Sequence, residues 1–515
     1  MRFDLATRAH RSFAFGAWRA TFGVWHATFG VWRSGFGVRR ERGIVRAGSR
    51  FWVINRLQRA CFVGCFAAVL PCVAPFLPSA RGAEAPTEPG VSVSDQLAGK
   101  PPDAITGNPA AENELPGTGL AGRLLQLPED TGLRLGGLWL VDTNGLLSGG
   151  AQPGKWSWNS ALIIGANLDA QKLLNWQGAS FGIQFLQFDG QDTNGQAGSI
   201  QGYNSLPGTK PLDRSELYQL WYRQTLFDDK IIFRIGKIVP TYDFNNVARP
   251  VPTQDEALSI PAVTGLLYTP VFVNPTLLGA IGGYYNSVYG ITLTVAPTKN
   301  SYVNYGVYDG NVANGVQTGL TGPHFNGYYF NILEAGVDWV AGGTYPGEFG
   351  AGLWYQTGVL QGPRGISENG TGGFYLFGGQ RIWGRSAANP APDGKKEIVI
   401  PASELEQNAS ISTFVQFGIN DSDTLPVKEY LGLGLTGFGL VPHRPGDSIG
   451  VGMAWSWLNP NLSGRSSELM FQGYYQTRIA NGVYLQPALT YIPTPGLSPK
   501  YDGAWATSLR LTVLF

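Results

Sequence analysis

The feature that most constrains this chain is a two-residue alternation of apolar and polar side chains, which returns segment after segment up to Phe515. In the closing segment, WATSLRLTVLF (505–515), one face carries Trp505, Thr507, Leu509, Leu511, Val513 and Phe515, and the other Ala506, Ser508, Arg510, Thr512 and Leu514. A period of two describes a strand whose faces meet unlike surroundings. Only 14% of the residues are charged, against about 25% in an ordinary soluble protein, so the chain makes a poor surface for water. Membrane helices need about 20 consecutive apolar residues. The best candidate, ACFVGCFAAVLPCVAPFLP (60–78), is interrupted by Pro71 and Pro75. The expected fold is therefore all-β, a transmembrane antiparallel β-barrel whose strands turn apolar side chains to lipid and polar ones inward.

The near-neutral net charge of +1 conceals a segregation. Residues 1–83 hold thirteen Arg, no Lys and two acids, a balance of +11, so the remainder carries −10. All three cysteines also lie in this leader, leaving the rest of the chain unable to form a disulfide. Within it, Arg50, Arg56 and Arg59 precede the apolar run and small residues follow it, the order of a secretory signal. We read 53–83 as that signal peptide. Residues 1–52 form a basic extension with a seven-residue repeat (FGAWRAT, FGVWHAT, FGVWRSG), each bearing a helix-weakening Gly and no Leu seam, and are read as an over-extended start. Residues 84–130, rich in Pro, Gly and Ala, read as a flexible periplasmic segment, leaving 131–515 as the barrel.

Counted back from Phe515, the alternation gives sixteen strands, from 131–141 to 505–515, with short periplasmic turns and long outer loops. The stretch 385–410 is long for a turn on the periplasmic side. The terminal Phe515, with Val513, Leu511 and Leu509 at every second position before it, resembles the signal by which the outer-membrane barrel assembly machinery recognises its clients. If Asp228-Asp229 form a two-residue turn, Tyr222 faces Ile235, Leu226 faces Ile231, and Arg223 faces Arg234. Like charges opposite one another are destabilising, and a wet lumen tolerates them best. Arg223, Arg234, Gln219 and Trp221 are accordingly read as pore-lining, the alternative being solvated arginines away from any narrowing.

Several blocks are then familiar. RSELYQLWYRQTLFDDKIIFRIGK (214–237), YDFN (242–245), PHRPGDSIGVGMAW (442–455) and SELMFQGYYQTRIANGVYLQPALTYIPTPG (467–496) resemble carbohydrate-selective porins of the OprB type. The resemblance spans roughly 131–515 and departs from the expected Pro-Asp at Pro487-Ala488. It implies a sixteen-stranded outer-membrane channel passing monosaccharides such as glucose by diffusion, with arginine and acidic groups at a narrowing. Carried onto this chain, it adds Glu468 to the lumen arginines, and period-two counting puts Gln472 and Tyr474 on the same face. The connection between Lys237 and Tyr285 is the longest outer one and contains six prolines. Long ordered loops are usually functional, so Asp243, Asn245 and Arg249 are expected to narrow the entrance, with a solvated surface loop as the bland alternative.

Other motifs are weaker. GASFG (178–182) satisfies G-x-S-x-G but sits inside an alternating strand rather than a strand–turn–helix. GGAQPGKW (149–156) approaches a phosphate loop, yet Trp156 stands where Ser or Thr is required, and it reads as an outer loop. DTNG occurs at 142–145 and 192–195, and both copies read as Asn-Gly turns before calcium ligands. No cofactor, metal or nucleic-acid partner is expected. The partners are small neutral sugars, outer-membrane lipid and lipopolysaccharide, and the assembly machinery; a homotrimer is left open. The rival readings are a general or amino-acid-preferring porin, and an outer-membrane enzyme, for which the barrel region offers only His324 and His443.

Overall fold

A computed structural model describes residues 117–515 except 118, 128–130, 210–211, 249–263, 284, 312–321, 343–344, 363–364 and 385–408. The leader 1–83, most of 84–130, Arg249 and nearly all of 385–410 therefore lie outside the described residues. Sixteen strands form one closed antiparallel barrel. In chain order they are β1 (Leu133–Ser148), β2 (Trp156–Asp169), β3 (Ala179–Gly190), β4 (Arg214–Leu226), β5 (Ile231–Ile238), β6 (Val288–Thr298), β7 (Ser301–Asp309) and β8 (Tyr329–Ala341). They continue with β9 (Tyr345–Gln361), β10 (Ser367–Gly384), β11 (Ser410–Asn420), β12 (Val427–Phe438), β13 (Ser448–Leu458), β14 (Ser467–Ala480), β15 (Val483–Ile492) and β16 (Ala504–Leu514). Each pairs with its neighbours in sequence, and β1 pairs with β16 to close the ring. No helix among the described residues is long and apolar enough to cross a membrane.

The alternation decides which face points where. In β16, Ala506, Ser508, Arg510, Thr512 and Leu514 are buried, while Trp505 and Leu509 are exposed on the outer wall. The same phase exposes Trp139, Ile183, Phe185, Ile291, Val451 and Leu489. Such a large apolar exterior is the surface that lipid covers in a transmembrane barrel. The long connections 191–213 and 239–287 lie at one end of the barrel, and the connections at the other end are short apart from 385–409 between β10 and β11.

The hairpin between β4 and β5 has the expected register: Tyr222 opposes Ile235, Arg223 opposes Arg234 and Leu226 opposes Ile231. Asp228 and Asp229 both take positive φ, 55° and 61°. Phe227 before them is also left-handed, at φ 57°, and the Lys230 N–H bonds the Phe227 carbonyl to close the turn.

Several strands depart from their expected ends, β1 and β10 by seven residues each. Asp142–Gly145, read as a turn, continues β1 in extended conformation. The reason is tertiary, because Asp142 is held by Arg510 and Asn144 accepts from Ser508 (2.6 Å), both across the β1–β16 seam. The second DTNG opens a short helix, Thr193–Ala197, capped by the Asp192 carboxylate on the Gly195 N–H at 2.8 Å. The G-x-S-x-G motif is also explained by packing. A Cβ on Gly182 would lie 2.3 Å from the Trp221 ring, so that glycine is a notch for an interior indole.

The turn between β12 and β13 carries a pH dependence. The buried Asp447 carboxylate accepts from Arg444 Nε (2.8 Å) and Nη2 (3.1 Å), Thr477 Oγ1 (3.1 Å), the Arg478 N–H (3.0 Å) and the Tyr475 hydroxyl. Burial pushes this carboxyl up, but the hydrogen bonds, led by Arg444 and Tyr475, together outweigh it and hold it below the ordinary carboxylate range. A group depressed in the folded state contributes stability above its unfolded pKa, and loses that contribution as pH falls through the folded value. The unfolding midpoint of the reconstituted protein is therefore expected to drop on acidification, and Asp447→Asn to lower the midpoint at neutral pH and flatten the acid limb.

Candidate functional site

Two long connections turn inward and bond to interior side chains of the wall. The 191–213 connection enters between β1, β13 and β14. Glu468 on β14 accepts there from Ser199 Oγ (2.6 Å) and from the N–H groups of Ile200 (2.8 Å) and Gln201 (3.2 Å). A fourth donor, the Gly496 N–H at 2.7 Å, comes from the β15–β16 loop. The 239–287 connection leaves β5 and reaches β14, seven strands away around the ring. There the Leu267 N–H donates to Gln472 Oε1 (2.6 Å) and the Gly265 N–H to the Tyr474 hydroxyl (2.8 Å). On β11, Asn420 Nδ2 donates to the Thr276 carbonyl (2.7 Å). Between these anchors Leu266, Tyr268, Val271, Phe272 and Leu277 pack into an apolar cluster with Tyr203 and Phe244.

Glu468, Gln472 and Tyr474 thus face the interior, as the alternation requires, but their polar atoms are taken up by the inward segments and all three are buried. Sequence reasoning placed them on the correct face and missed what covers them.

A second group lies where the start of the long connection meets β4 to β10. Arg223 and Arg234, opposed across the β4–β5 ladder, are both buried on the interior face. Arg234 forms an ion pair with Asp243 of the inward loop. Thr292 Oγ1 donates to the same Asp243 carboxylate at 3.0 Å, and Asn304 Nδ2 to the Asp243 carbonyl at 2.9 Å. Two residues on, the Asn245 N–H donates to Glu334 of β8 at 2.7 Å. Asp338 and Glu348 oppose one another on β8 and β9. Arg223, Arg234 and Lys237 therefore make β4–β5 a mainly basic sector, in which Glu216 pairs with Lys237, and Glu334, Asp338 and Glu348 make β8–β9 an acidic one.

Gln219 and Trp221 share the arginine face and are buried. Gln219 Nε2 donates to Gln184 Oε1 at 2.6 Å. Gln219 Oε1, Trp221 Nε1 and Asn245 Oδ1 are buried polar atoms without a hydrogen-bond partner among the described residues. Of the expected site residues, the structure brings Arg223, Arg234, Asp243 and Asn245 into one neighbourhood, and sets Glu468, Gln472 and Tyr474 against other parts of the inward loops. Glu334, Thr292, Tyr302 and Tyr375 went unnoticed in the sequence. The available signal for Glu334 was an acid at an inward position in the middle of YFNILEAGVDWVA (329–341).

Comparison with known proteins agrees with this architecture. Residues 160–515 match the model of the family described as carbohydrate-selective porin, OprB family. Porin B of Pseudomonas aeruginosa is 22% identical over 392 residues, covering 68% of this chain and 80% of its own length. The putative porin QuiX of Acinetobacter baylyi is 24% identical over 397 residues, covering 69% and 82%. Among solved structures, the high-pH form of Pseudomonas putida OprB superposes with a TM-score of 0.63 at 19% identity, covering 80% of this chain and 99% of that one. At that identity the superposition establishes the fold. With the closed sixteen-stranded barrel, inward loops and the family match over most of its length, the chain belongs to the OprB family of carbohydrate-selective porins.

Proposed function

We propose that the barrel is an outer-membrane diffusion channel for small neutral sugars, with monosaccharides such as glucose as its solutes, and that Arg223, Arg234, Asp243 and Asn245 form its narrowing. The observation that carries this reading is the opposed arginine pair on the interior face, met by an acid from an inward loop. Guanidinium forks suit sugar hydroxyls, which accept as well as donate. Gln219 Oε1, Trp221 Nε1 and Asn245 Oδ1 add buried hydrogen-bonding capacity that no group among the described residues uses. Contacts in such a channel must be weak and repeated, since tight binding stops conduction. Arg249 is assigned to the same narrowing on its place in the sequence alone. Export is assigned to residues 53–83, and the mass of the mature N-terminus tests that.

Swelling of liposomes containing the protein tests the sugar reading. Glucose is expected to enter faster than amino acids of similar size, and larger sugars more slowly. Replacing both Arg223 and Arg234 by Ala is expected to slow glucose several-fold relative to ion conductance; entry that tracks size alone would reduce the function to general diffusion. One observation favours a second reading. Basic groups on β4–β5 and acidic groups on β8–β9 are separated as a channel for zwitterions would want them, and that channel would admit amino acids ahead of glucose.

A further inference from the structure

Glu334 sits midway along β8, 2% exposed. A carboxylate in a barrel wall is costly unless donors surround it, and three do. Tyr302 of β7 donates to Oε1 at 2.8 Å, and Tyr375 of β10 to Oε2 at 2.7 Å. The third donor, the Asn245 N–H at 2.7 Å, belongs to the inward loop. Tyr375 reaches Glu334 from two strands away because the residue between them is Gly352, opposite both in register. A Cβ on Gly352 would lie 2.3 Å from the Tyr375 ring. Wall residues thus aim the carboxylate, and its remaining acceptor capacity goes to the loop.

The loop needs that hold. Asn245 has φ 57°, the left-handed region that a non-glycine residue enters at a cost and keeps only when its surroundings insist. Its side-chain oxygen has no partner, so the side chain does not fix the bend through that atom. The N–H bond to Glu334 does. Asp243 is tied to β5, β6 and β7 through Arg234, Thr292 and Asn304. How far the bend leans toward the acidic sector is therefore set at Asn245.

We propose that Glu334 is the positioning residue that sets the width of the narrowing, by holding the Asn245 backbone against β8 while Tyr302 and Tyr375 aim its carboxylate. This rests on the reading of Asp243 and Asn245 as the narrowing.

The test uses the full chain in planar bilayers, recording single-channel conductance in potassium chloride, and in liposomes, recording entry of a mono-, a di- and a trisaccharide. A glutamine could donate to the Tyr302 hydroxyl and still accept from the loop, whereas in Glu334→Ala all three donors, the Asn245 N–H among them, lose their acceptor. Conductance is expected to shift upward and discrimination by sugar size to fall, with the heat-sensitive electrophoretic mobility of a closed barrel retained. Tyr375→Phe is expected to shift conductance in the same direction by less. Wild-type conductance and size cutoff in Glu334→Ala, with only a lowered unfolding temperature, would make Glu334 a structural support and overturn the proposal. Should Glu334→Ala fail to assemble, unchanged conductance in Tyr375→Phe rejects it. Conductance in salt reports width whether or not sugars are preferred, so a wild-type channel without sugar preference would remove the sugar reading and leave this test intact.

Discussion

Replacing Arg510 by Leu is expected to destabilise the reconstituted barrel by about 3–5 kcal/mol, the cost of leaving a buried charge without its partner. Arg510 opposes Asp142 in register across the β1–β16 seam, and the pair is bidentate, with Nε to Oδ1 and Nη2 to Oδ2 both at 2.7 Å. Both side chains are essentially sealed from water, at 1% and 0% exposure. The leucine variant keeps the Asp142 carboxylate inside the wall with Asn204 Nδ2 as its one remaining side-chain donor among the described bonds. Replacing both residues by Leu removes the stranded charge, so the double variant is expected to be more stable than Arg510→Leu alone. Urea unfolding in lipid vesicles, followed by tryptophan fluorescence, measures all three proteins. An Arg510→Leu barrel as stable as the wild type would show that the seam pair contributes nothing.

Glu468→Ala is expected to have the second largest effect, of a different kind. It removes an acceptor from four donors: Ser199 Oγ and the N–H groups of Ile200, Gln201 and Gly496. Each stranded buried donor costs about 1–3 kcal/mol. The chain can avoid most of that cost by letting the 191–213 connection leave the wall, where water satisfies the N–H groups. The ladder hydrogen bonds of β13, β14 and β15 do not involve the Glu468 side chain, so the barrel stays closed. The expected result is normal heat-sensitive mobility, higher single-channel conductance and faster proteolysis within 191–213. Glu468→Gln, which keeps one acceptor oxygen, is expected to fall between wild type and Ala. Unchanged protease sensitivity in Glu468→Ala would mean that the Asn204 contacts with Asp142 and Asn144 hold the connection by themselves.

Strand number and phase were legible because a period of two between lipid and interior repeats in every segment. The β4–β5 register was legible as well, since a two-residue turn leaves one pairing that puts Tyr222, Ile235, Leu226 and Ile231 on one face. Strand ends were less so. β10 begins at Ser367, well before the apolar alternation becomes visible in SENGTGGFYLFGGQRIWG. β1 continues through Asp142-Thr143-Asn144-Gly145, a sequence that favours a turn in isolation and is held extended by Arg510 and Ser508 on the neighbouring strand.

The sequence by itself determined a closed barrel, its sixteen strands and which side chains enter it, because those follow from a local periodicity that a hydrogen-bonded wall between lipid and a polar interior demands. Only the tertiary structure decided what the interior residues do. Glu468, Gln472 and Tyr474 look alike with Arg223 and Arg234 by phase, yet the first three hold inward loops, while Arg234, opposite Arg223, meets Asp243. Glu334 gains its place through donors from β7, β10 and a loop residue, Asn245, that lies 89 residues earlier. Such contacts join residues far apart in the chain, and no spacing encodes them; they exist because buried polar groups must find partners wherever the closed wall brings them.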